Sequence, residues 1–191
     1  MVLLDLGDLS GARDQLERAL QITEAALGPD HWDVGIRRAN LGLALRDLGD
    51  LSGARDQFER ALQIMEAALS PDHHHIGPLR GVLGGVLRDL GDLAGARDEF
   101  ERALQICRAA LGPDHPNTLQ WMAALSRNLT TLNEHAAARD LDREILERRR
   151  RLLGENDPST RNAVGKLAFD LEQMGEIGPE LDELRAWLHD H

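Results

Sequence analysis

The chain has 191 residues and a mass of 21.1 kDa, which suits one domain or a short array of repeats. Its 22 basic and 33 acidic residues give a formal net charge of −11, which disfavours nucleic-acid phosphates and anionic lipids as partners. The lone cysteine, Cys107, excludes an internal disulfide, so we expect a reducing, cytoplasmic location. The apolar start of the chain is interrupted by Asp5, and no apolar run approaches the roughly 20 residues of a membrane span.

One segment recurs along the chain at intervals of 42 residues. It reads LGDLSGARDQLERAL at 6–20, LGDLSGARDQFERAL at 48–62 and LGDLAGARDEFERAL at 90–104, and divergent copies begin at 132 and 174. A period of about 20 to 50 residues is typical of stacked units that bury their apolar faces against one another. We therefore read the chain as a single array of five repeats, with approximate boundaries 1–27, 28–69, 70–111, 112–153 and 154–191.

Two helical patterns alternate within each repeat. The stretch from Trp32 has an apolar stripe through Leu41 and Leu45 and stops at Gly49, and the stretch from Leu51 has a second stripe over about 18 residues. The connection between them is only two or three residues, which makes the two helices antiparallel neighbours. Nine helices and no strand are predicted.

A signature of Leu-Gly, a large apolar residue, Gly, Ala, Phe and Ala appears twice in full. Its members are Leu41, Gly42, Leu45, Gly49, Ala54, Phe58 and Ala61, then Leu83, Gly84, Leu87, Gly91, Ala96, Phe100 and Ala103. On these residues the chain resembles the tetratricopeptide repeats, and its 42-residue unit is similar to the kinesin light chain subtype, which also forms the C-terminal arms of bacterial signal-transduction ATPases. The resemblance implies an all-α fold: an α-solenoid in which antiparallel helix pairs form a right-handed superhelix, with the first helix of each pair lining the concave groove.

The last two repeats depart from this signature at packing positions. Asp142 replaces the phenylalanine, Asn133 replaces the glycine that ends the first helix, and Glu180 replaces the first alanine. We expect looser or locally shifted packing there, as in a terminal repeat whose outer face meets water.

The chain starts with MVLLDL, which looks like the last turns of a helix whose earlier part is missing. We read the chain as a fragment or a truncated gene product of about four and a half repeats. An uncovered apolar strip is expected at Leu9, Ala12 and Leu16, and we expect this end to fray or to form a homodimer.

The residues His73, His74 and His75 raise the question of a zinc or nickel site. Adjacent side chains in a connector are expected to point in different directions, and the aligned His31 and His115 indicate a structural role in the repeat. The sequence also lacks HExxH, a complete P-loop and a nucleophile elbow. We predict no catalytic residue, no metal and no cofactor, and thus a non-enzymatic protein.

An arginine run, the cysteine and the lysine can each be interpreted as structural or as functional. The run Arg148–Arg151 is interpreted as a solvated helix face, with docking of an acidic partner as the alternative. Cys107 is interpreted as a packing or half-exposed thiol rather than a nucleophile. Lys166 belongs to no P-loop and is interpreted as a groove or surface cation.

The resemblance places a peptide-binding groove along the first helices. The residues predicted to line it are Asn40, Leu43, Arg46, Gly81, Gly85, Arg88 and Arg127. Kinesin-light-chain-like grooves use an asparagine before the Leu-Gly pair to hold a peptide backbone, and here only Asn40 matches. The two glycines predict a local hollow, and the arginines favour a short, acidic and partly apolar segment as ligand.

These features together predict a protein-protein interaction module, the sensor or scaffold arm of a larger bacterial regulator, which binds a peptide or protein segment in its concave groove. One alternative is a module for self-association through apolar ends or grooves. A more remote alternative is a protein that binds metal through its histidines.

Overall fold

The computed structural model describes residues 9–69 and 73–190, and in these ranges it contains nine α-helices and no strand. The helices are α1 (Leu9–Leu27), α2 (Trp32–Asp47), α3 (Leu51–Ala68), α4 (Ile76–Asp89), α5 (Leu93–Leu111), α6 (Pro116–Thr131), α7 (His135–Leu153), α8 (Pro158–Gln173) and α9 (Pro179–Asp190). This confirms the predicted all-α solenoid of helix pairs. None of these helices has both the length and the apolarity needed to cross a membrane.

The chain divides into two compact units, Met1–Ala110 and Leu111–His191, called here the N-terminal and C-terminal units. In the N-terminal unit, α2 packs between α1 and α3, and α3 packs on α4. In the C-terminal unit, α7 packs between α6 and α8, and α9 packs on α8. Within each unit, the helices therefore contact their neighbours in sequence, as the repeat predicts.

The structure describes only part of the predicted apolar strip at the start of the chain. The predicted helix end MVLLDL and the side chain of Leu9 lie outside the described residues. Of the strip expected to be open, Ala12 is 7% exposed and Leu16 is half-buried. The strip is therefore not open at Ala12, and dimerisation through this end stays a prediction.

Phenylalanine fills the space between paired helices in the N-terminal unit. Phe58 and Phe100 are each 1% exposed. A Cβ atom added at Gly42 would lie 2.9 Å from the ring of Phe58, and one added at Gly84 would lie 2.9 Å from the ring of Phe100. The glycine of each Leu-Gly pair thus provides the room that the ring occupies, which confirms these four residues as core.

The turns that end the first helices keep one geometry even where the sequence changes. Gly49 and Gly91 have φ values of 85° and 87°, and Asn133 adopts the same left-handed region with a φ of 61°. The amide of the next residue donates to a carbonyl five residues back in each case, at 2.9 Å for Asp50, Asp92 and Glu134. The local shift expected at Asn133 is therefore wrong, because asparagine tolerates this conformation.

Two half-buried arginines each connect three consecutive helices, and the sequence analysis missed them. Arg38 of α2 donates to Glu24 of α1 and, at 3.0 Å, to Gln57 of α3. Arg80 of α4 repeats the arrangement 42 residues later, because it donates to Glu66 of α3 and, at 2.7 Å, to Glu99 of α5. Their recurrence at the repeat interval is the sequence signal that could have revealed them.

Candidate functional site

A hollow of 440 Å³, called here the N-terminal hollow, lies between α2, α3 and α4. Its walls include Ile36, Asn40 and Leu43 of α2, Phe58 and Met65 of α3, and Val82 of α4. Ile36 and Leu43 are each 37% exposed, so apolar side chains face solvent here. His75 lies at the edge of the hollow with its ring centroid 5.9 Å from that of Trp32. The surface is chemically suited to an apolar side chain of a ligand.

The structure places the predicted groove residues of the second repeat in different environments. Asn40 and Leu43 line the N-terminal hollow. Arg46 lies one turn further along α2, where its guanidinium donates to Asp47 at 2.9 Å. The exposed amide of Asn40 is the polar group on an otherwise apolar wall.

The two glycines predicted to line the groove in the third repeat differ in their surroundings. Gly81 is buried, whereas a Cβ atom at Gly85 would meet nothing within 4 Å. Arg88 donates to Asp89 at 2.9 Å, as Arg46 does to its own neighbour. The hollow expected at these two glycines stays a prediction.

A second hollow, the C-terminal hollow, has a volume of 380 Å³ and lies between α6, α7 and α8. Its walls include Arg127 of α6, Asp142, Ile145 and Arg149 of α7, and Lys166 and Phe169 of α8. Arg127 is thus the one predicted groove residue found in this hollow.

The two hollows are built from equivalent positions, 84 residues or two repeats apart. Leu43, Phe58, Met65 and Val82 of the first correspond to Arg127, Asp142, Arg149 and Lys166 of the second. Four apolar walls have been replaced by three cations and a carboxyl group, while the helices that present them are retained. The sequence analysis did not place Asp142 or Arg149 in the groove because it looked for the groove on first helices only.

Lys166 is held in the C-terminal hollow by a buried polar cluster. Its Nζ donates to Thr130 Oγ1 at 2.7 Å and to Asp170 Oδ2 at 3.2 Å. Asp170 is fully buried, and it also lies 3.4 Å from the Nδ1 of His135. The interpretation of Lys166 as a groove cation agrees with its place in this hollow, although a quarter of its side chain is exposed and the rest is packed.

Asp142 is only 3% exposed, and its Oδ2 has no hydrogen-bond partner. Lys166 Nζ lies 3.8 Å from that oxygen. Burial raises the pKa of Asp142 to about 7, and the neighbouring Asp170 adds to the shift, whereas Ser126 and Lys166 act in the opposite direction. A polar cluster replaces the phenylalanine here, and Ser126 stands where the earlier repeats have glycine. The looser packing expected at this position stays a prediction.

Arg149 reaches the same hollow from the last turns of α7. Its Nη1 donates to the carbonyl oxygen of Ser159 at 2.8 Å. Burial lowers the pKa of Arg149. A guanidinium that is partly removed from water, with one donor on a neutral carbonyl, is a group that gains from an anionic ligand.

The rest of the arginine run is engaged within the protein. Arg148 and Arg151 both donate to Asp114, at 2.6 Å each, and Arg150 donates to Glu155 at 3.0 Å. The hydrogen bond from Arg148 is the main cause that lowers the pKa of Asp114. The run is therefore not a uniform solvated face, because Arg148 is 19% exposed and anchors the connector before α6.

The three histidines of the second connector lie together. Their ring centroids are 4.1 to 5.2 Å apart, and their candidate ligand atoms lie within 4.8 Å of one another. The expected divergence of these side chains is wrong. His73 Nδ1 accepts from the amide of His75 at 3.4 Å, as His31 and His115 accept from the amides two residues ahead, which shows the structural use of this histidine in the repeat.

Cys107 is fully buried in α5. A Cβ atom added at Gly77 of α4 would lie 2.8 Å from its Sγ, so the thiol fills a close contact between these helices. This confirms the packing role.

The helices pair with their neighbours in sequence, and the hollows lie between the paired helices. A family model described as tetratricopeptide repeat matches residues 1–74 and 78–151. The chain therefore belongs to the tetratricopeptide repeat family. Membership of this family supports a role as a protein-protein interaction module. Comparison with curated proteins gives no match.

Solved structures show the same fold at low sequence identity. A protein of Podosopora anserina with nearly identical TPR-like repeats, described as a kinesin light chain, has a TM-score of 0.86 and 20% identity, over 98% of this chain and 89% of that one. BtubC (BKLC) from P. vanneervenii has a TM-score of 0.84 and 16% identity, over 98% and 73% of the two chains. YrrB, a TPR protein with an unusual peptide-binding site, has a TM-score of 0.66 and 15% identity, over 99% and 80%. These similarities confirm the fold of stacked helix pairs.

Proposed function

We propose that this protein is a non-enzymatic interaction module whose N-terminal hollow binds a segment of a partner protein through an apolar side chain. The observation that carries the proposal is a hollow of 440 Å³ with Ile36, Leu43 and Val82 on its walls and a single polar amide, that of Asn40. In this arrangement the apolar walls take up the side chain, and Asn40 hydrogen-bonds the backbone of the bound segment.

The apolar character of the hollow supports a protein ligand over a polar metabolite. Ile36 and Leu43 stay more than a third exposed although each belongs to a helix with a well-packed opposite face. Covering such side chains with a ligand removes apolar surface from water, which favours association by about 25 cal/mol per Å² before the costs of binding. The cytoplasmic location and the role as sensor or scaffold arm of a larger bacterial regulator belong to the same proposal.

The proposal is tested with peptides selected from a random dodecapeptide library on the immobilised protein. Selected peptides should share an apolar anchor residue, and isothermal titration should show that Val82→Lys weakens their binding at least tenfold. Val82→Lys installs the residue that the equivalent position has in the C-terminal unit, so the fold is expected to tolerate it. The matched control is Ile22→Lys, because Ile22 is 69% exposed on α1 outside the hollow. Peptides without a shared anchor, or affinities unchanged by Val82→Lys, would overturn the proposal.

Self-association is the second candidate, and exposed apolar residues of α1 favour it. Ile22 is 69% exposed and Leu27 is 47% exposed. Light scattering after size-exclusion chromatography should give a dimer mass that Ile22→Lys converts to a monomer mass if α1 is the interface. A monomer at all concentrations would remove this candidate and leave the peptide-binding role in place.

A further inference from the structure

We propose that His73, His74 and His75, which precede α4, form a binding site for one divalent transition-metal ion such as Zn²⁺. The sequence analysis predicted no metal because it expected these three side chains to diverge, and the structure brings them together. The three histidines are not the residues to which the proposed function assigns peptide binding, so either proposal can fail without the other.

The first argument is the distance between the imidazole nitrogens. One nitrogen of each ring lies within 4.8 Å of a nitrogen of each of the other two rings. Nitrogens that share a tetrahedral zinc ion, at about 2.1 Å from the metal, lie about 3.4 Å from one another. His74 and His75 are exposed, so small rotations of their rings can close the remaining gap without disturbing a packed core.

The second argument is the backbone turn that carries the histidines, because it departs from the repeat. Helices α2 and α6 begin one residue after the histidine of their connector, whereas α4 begins at Ile76, three residues after His73. The amide of Ile76 donates to the carbonyl oxygen of His73 at 2.8 Å, which closes a turn around the other two histidines. Consecutive side chains on a helix point about 100° apart, so the later helix start is what allows the three rings to gather.

The chemistry of the cluster selects the kind of ion. Imidazole nitrogens are good ligands for Zn²⁺, Cu²⁺ and Ni²⁺, whereas Mg²⁺ and Ca²⁺ take oxygen ligands. The only internal hydrogen bond that competes for a lone pair runs from the amide of His75 to His73 Nδ1, among the contacts that the structure describes. It is 3.4 Å long, so a metal ion can replace it at little cost.

The position of His75 connects the metal site with the N-terminal hollow. Its ring lies at the edge of that hollow, with its centroid 5.9 Å from that of Trp32. An ion held by all three histidines fixes the ring of His75 to the turn and so fixes this edge. An ion that binds only the folded turn also stabilises the folded chain, so zinc should raise its melting temperature.

The test is an isothermal titration of the metal-free full chain with ZnCl₂. One ion per chain should bind, and MgCl₂ should give no heat of binding. His74→Gln and His75→Gln should each weaken zinc binding at least tenfold, because each variant removes one of three ligands. The matched control is His189→Gln, since the side chain of His189 is 91% exposed on α9, away from the cluster. Zinc affinity that neither variant of the cluster changes would show an adventitious ion only and would overturn the proposal.

A synthetic peptide with the sequence of residues 70–79 separates a built site from a mere run of histidines. It carries the same three imidazoles without the folded turn, so the full chain should bind zinc at least tenfold more tightly through pre-organisation. Equal affinities of the peptide and the full chain would also show an adventitious ion only and overturn the proposal.

Tryptophan fluorescence locates the ion within the fold. Cu²⁺ prefers the same nitrogen ligands and binds them more tightly than Zn²⁺ does. Bound at the three histidines, it should quench the fluorescence of Trp32, and Trp32→Phe should remove most of the quenching. Quenching that persists in Trp32→Phe would place the ion elsewhere and contradict the proposal.

Discussion

The ring of Phe100 lies 2.9 Å from the point that a Cβ atom of Gly84 would occupy. The contact joins α4 to α5, and the same contact 42 residues earlier joins α2 to α3. In each pair, the phenylalanine ring fits only because the facing residue is a glycine without a side chain. A change at one of the two residues therefore requires a compensating change at the other if the packing is to be kept.

The first prediction concerns this pair. Phe100→Ala should lower the free energy of unfolding by about 3 to 5 kcal/mol, because it opens a cavity in a fully buried site. Gly84→Ala should also destabilise the protein, because the added methyl group meets a ring that has no free space to move into. Both are measured by urea unfolding. Gly85→Ala is the matched control, since a Cβ atom there meets nothing within 4 Å, and a loss equal to that of Gly84→Ala would contradict the packing argument.

A second prediction concerns the half-buried arginine, Arg80, that bridges α3 and α5. Arg80→Ala should cost about 2 kcal/mol of stability, because it leaves Glu66 and Glu99 without their shared cation in a site where Arg80 is 13% exposed. Arg55→Ala removes an exposed pair with Asp56 and should change stability by less than about 1 kcal/mol. Chemical unfolding of both variants checks the contrast. Equal effects would show that the bridge adds nothing beyond a surface ion pair.

The third prediction concerns the left-handed turn at Asn133. Asn133→Ala should destabilise the protein by about 1 kcal/mol, because alanine pays for a positive φ that asparagine and glycine tolerate. Asn133→Gly should stay within about 0.5 kcal/mol of the parent protein. Melting temperatures of the two variants decide the matter, and an Asn133→Ala variant as stable as Asn133→Gly would refute this account.

The fourth prediction concerns pH and Asp142. The folded chain keeps this proton up to a pKa of about 7, whereas the unfolded chain releases it near 4, so rising pH favours unfolding between these values. Relative to Asp142→Asn, the parent protein should lose up to about 1.4 kcal/mol of stability per pH unit in this range. Below the unfolded pKa the difference should become constant. Unfolding by urea at several pH values measures it, with Asp182→Asn on the exposed face of α9 as the control; stability that rises with pH relative to Asp142→Asn would contradict the prediction.

The fold was predictable because nearly the same helical segment occurs three times at intervals of 42 residues. Phe58 and Phe100 stand in the same slot, and each has its glycine partner at the same distance along the chain. Asp142 was harder to interpret, since a carboxyl group in a phenylalanine slot looks like a packing defect when only its own position is considered. Its partners Ser126 and Asp170 lie on the two neighbouring helices, and only the packing of the three helices shows that a polar cluster fills the space.

The candidate site was predicted in part. The family resemblance placed Asn40 and Leu43 in the groove, and both line the N-terminal hollow. It could not show that α3 and α7 also contribute walls, because this depends on how far Met65 and Arg149 reach past their own helix. The hydrogen bond from Arg46 to Asp47 depends on side-chain conformation, which a helical periodicity does not predict.

The equivalence of the two hollows has a consequence for how such a chain can change over evolution. Duplication of one gene segment supplies further copies of a repeat that already folds. The residues that line the hollow of each copy can then change independently of the other copies. Here the replacement of Leu43, Phe58, Met65 and Val82 by charged residues at positions two repeats apart accompanies the change from an apolar hollow to a charged one. Substitution of single wall residues can therefore change the chemistry of one hollow while the repeat that carries it keeps its fold.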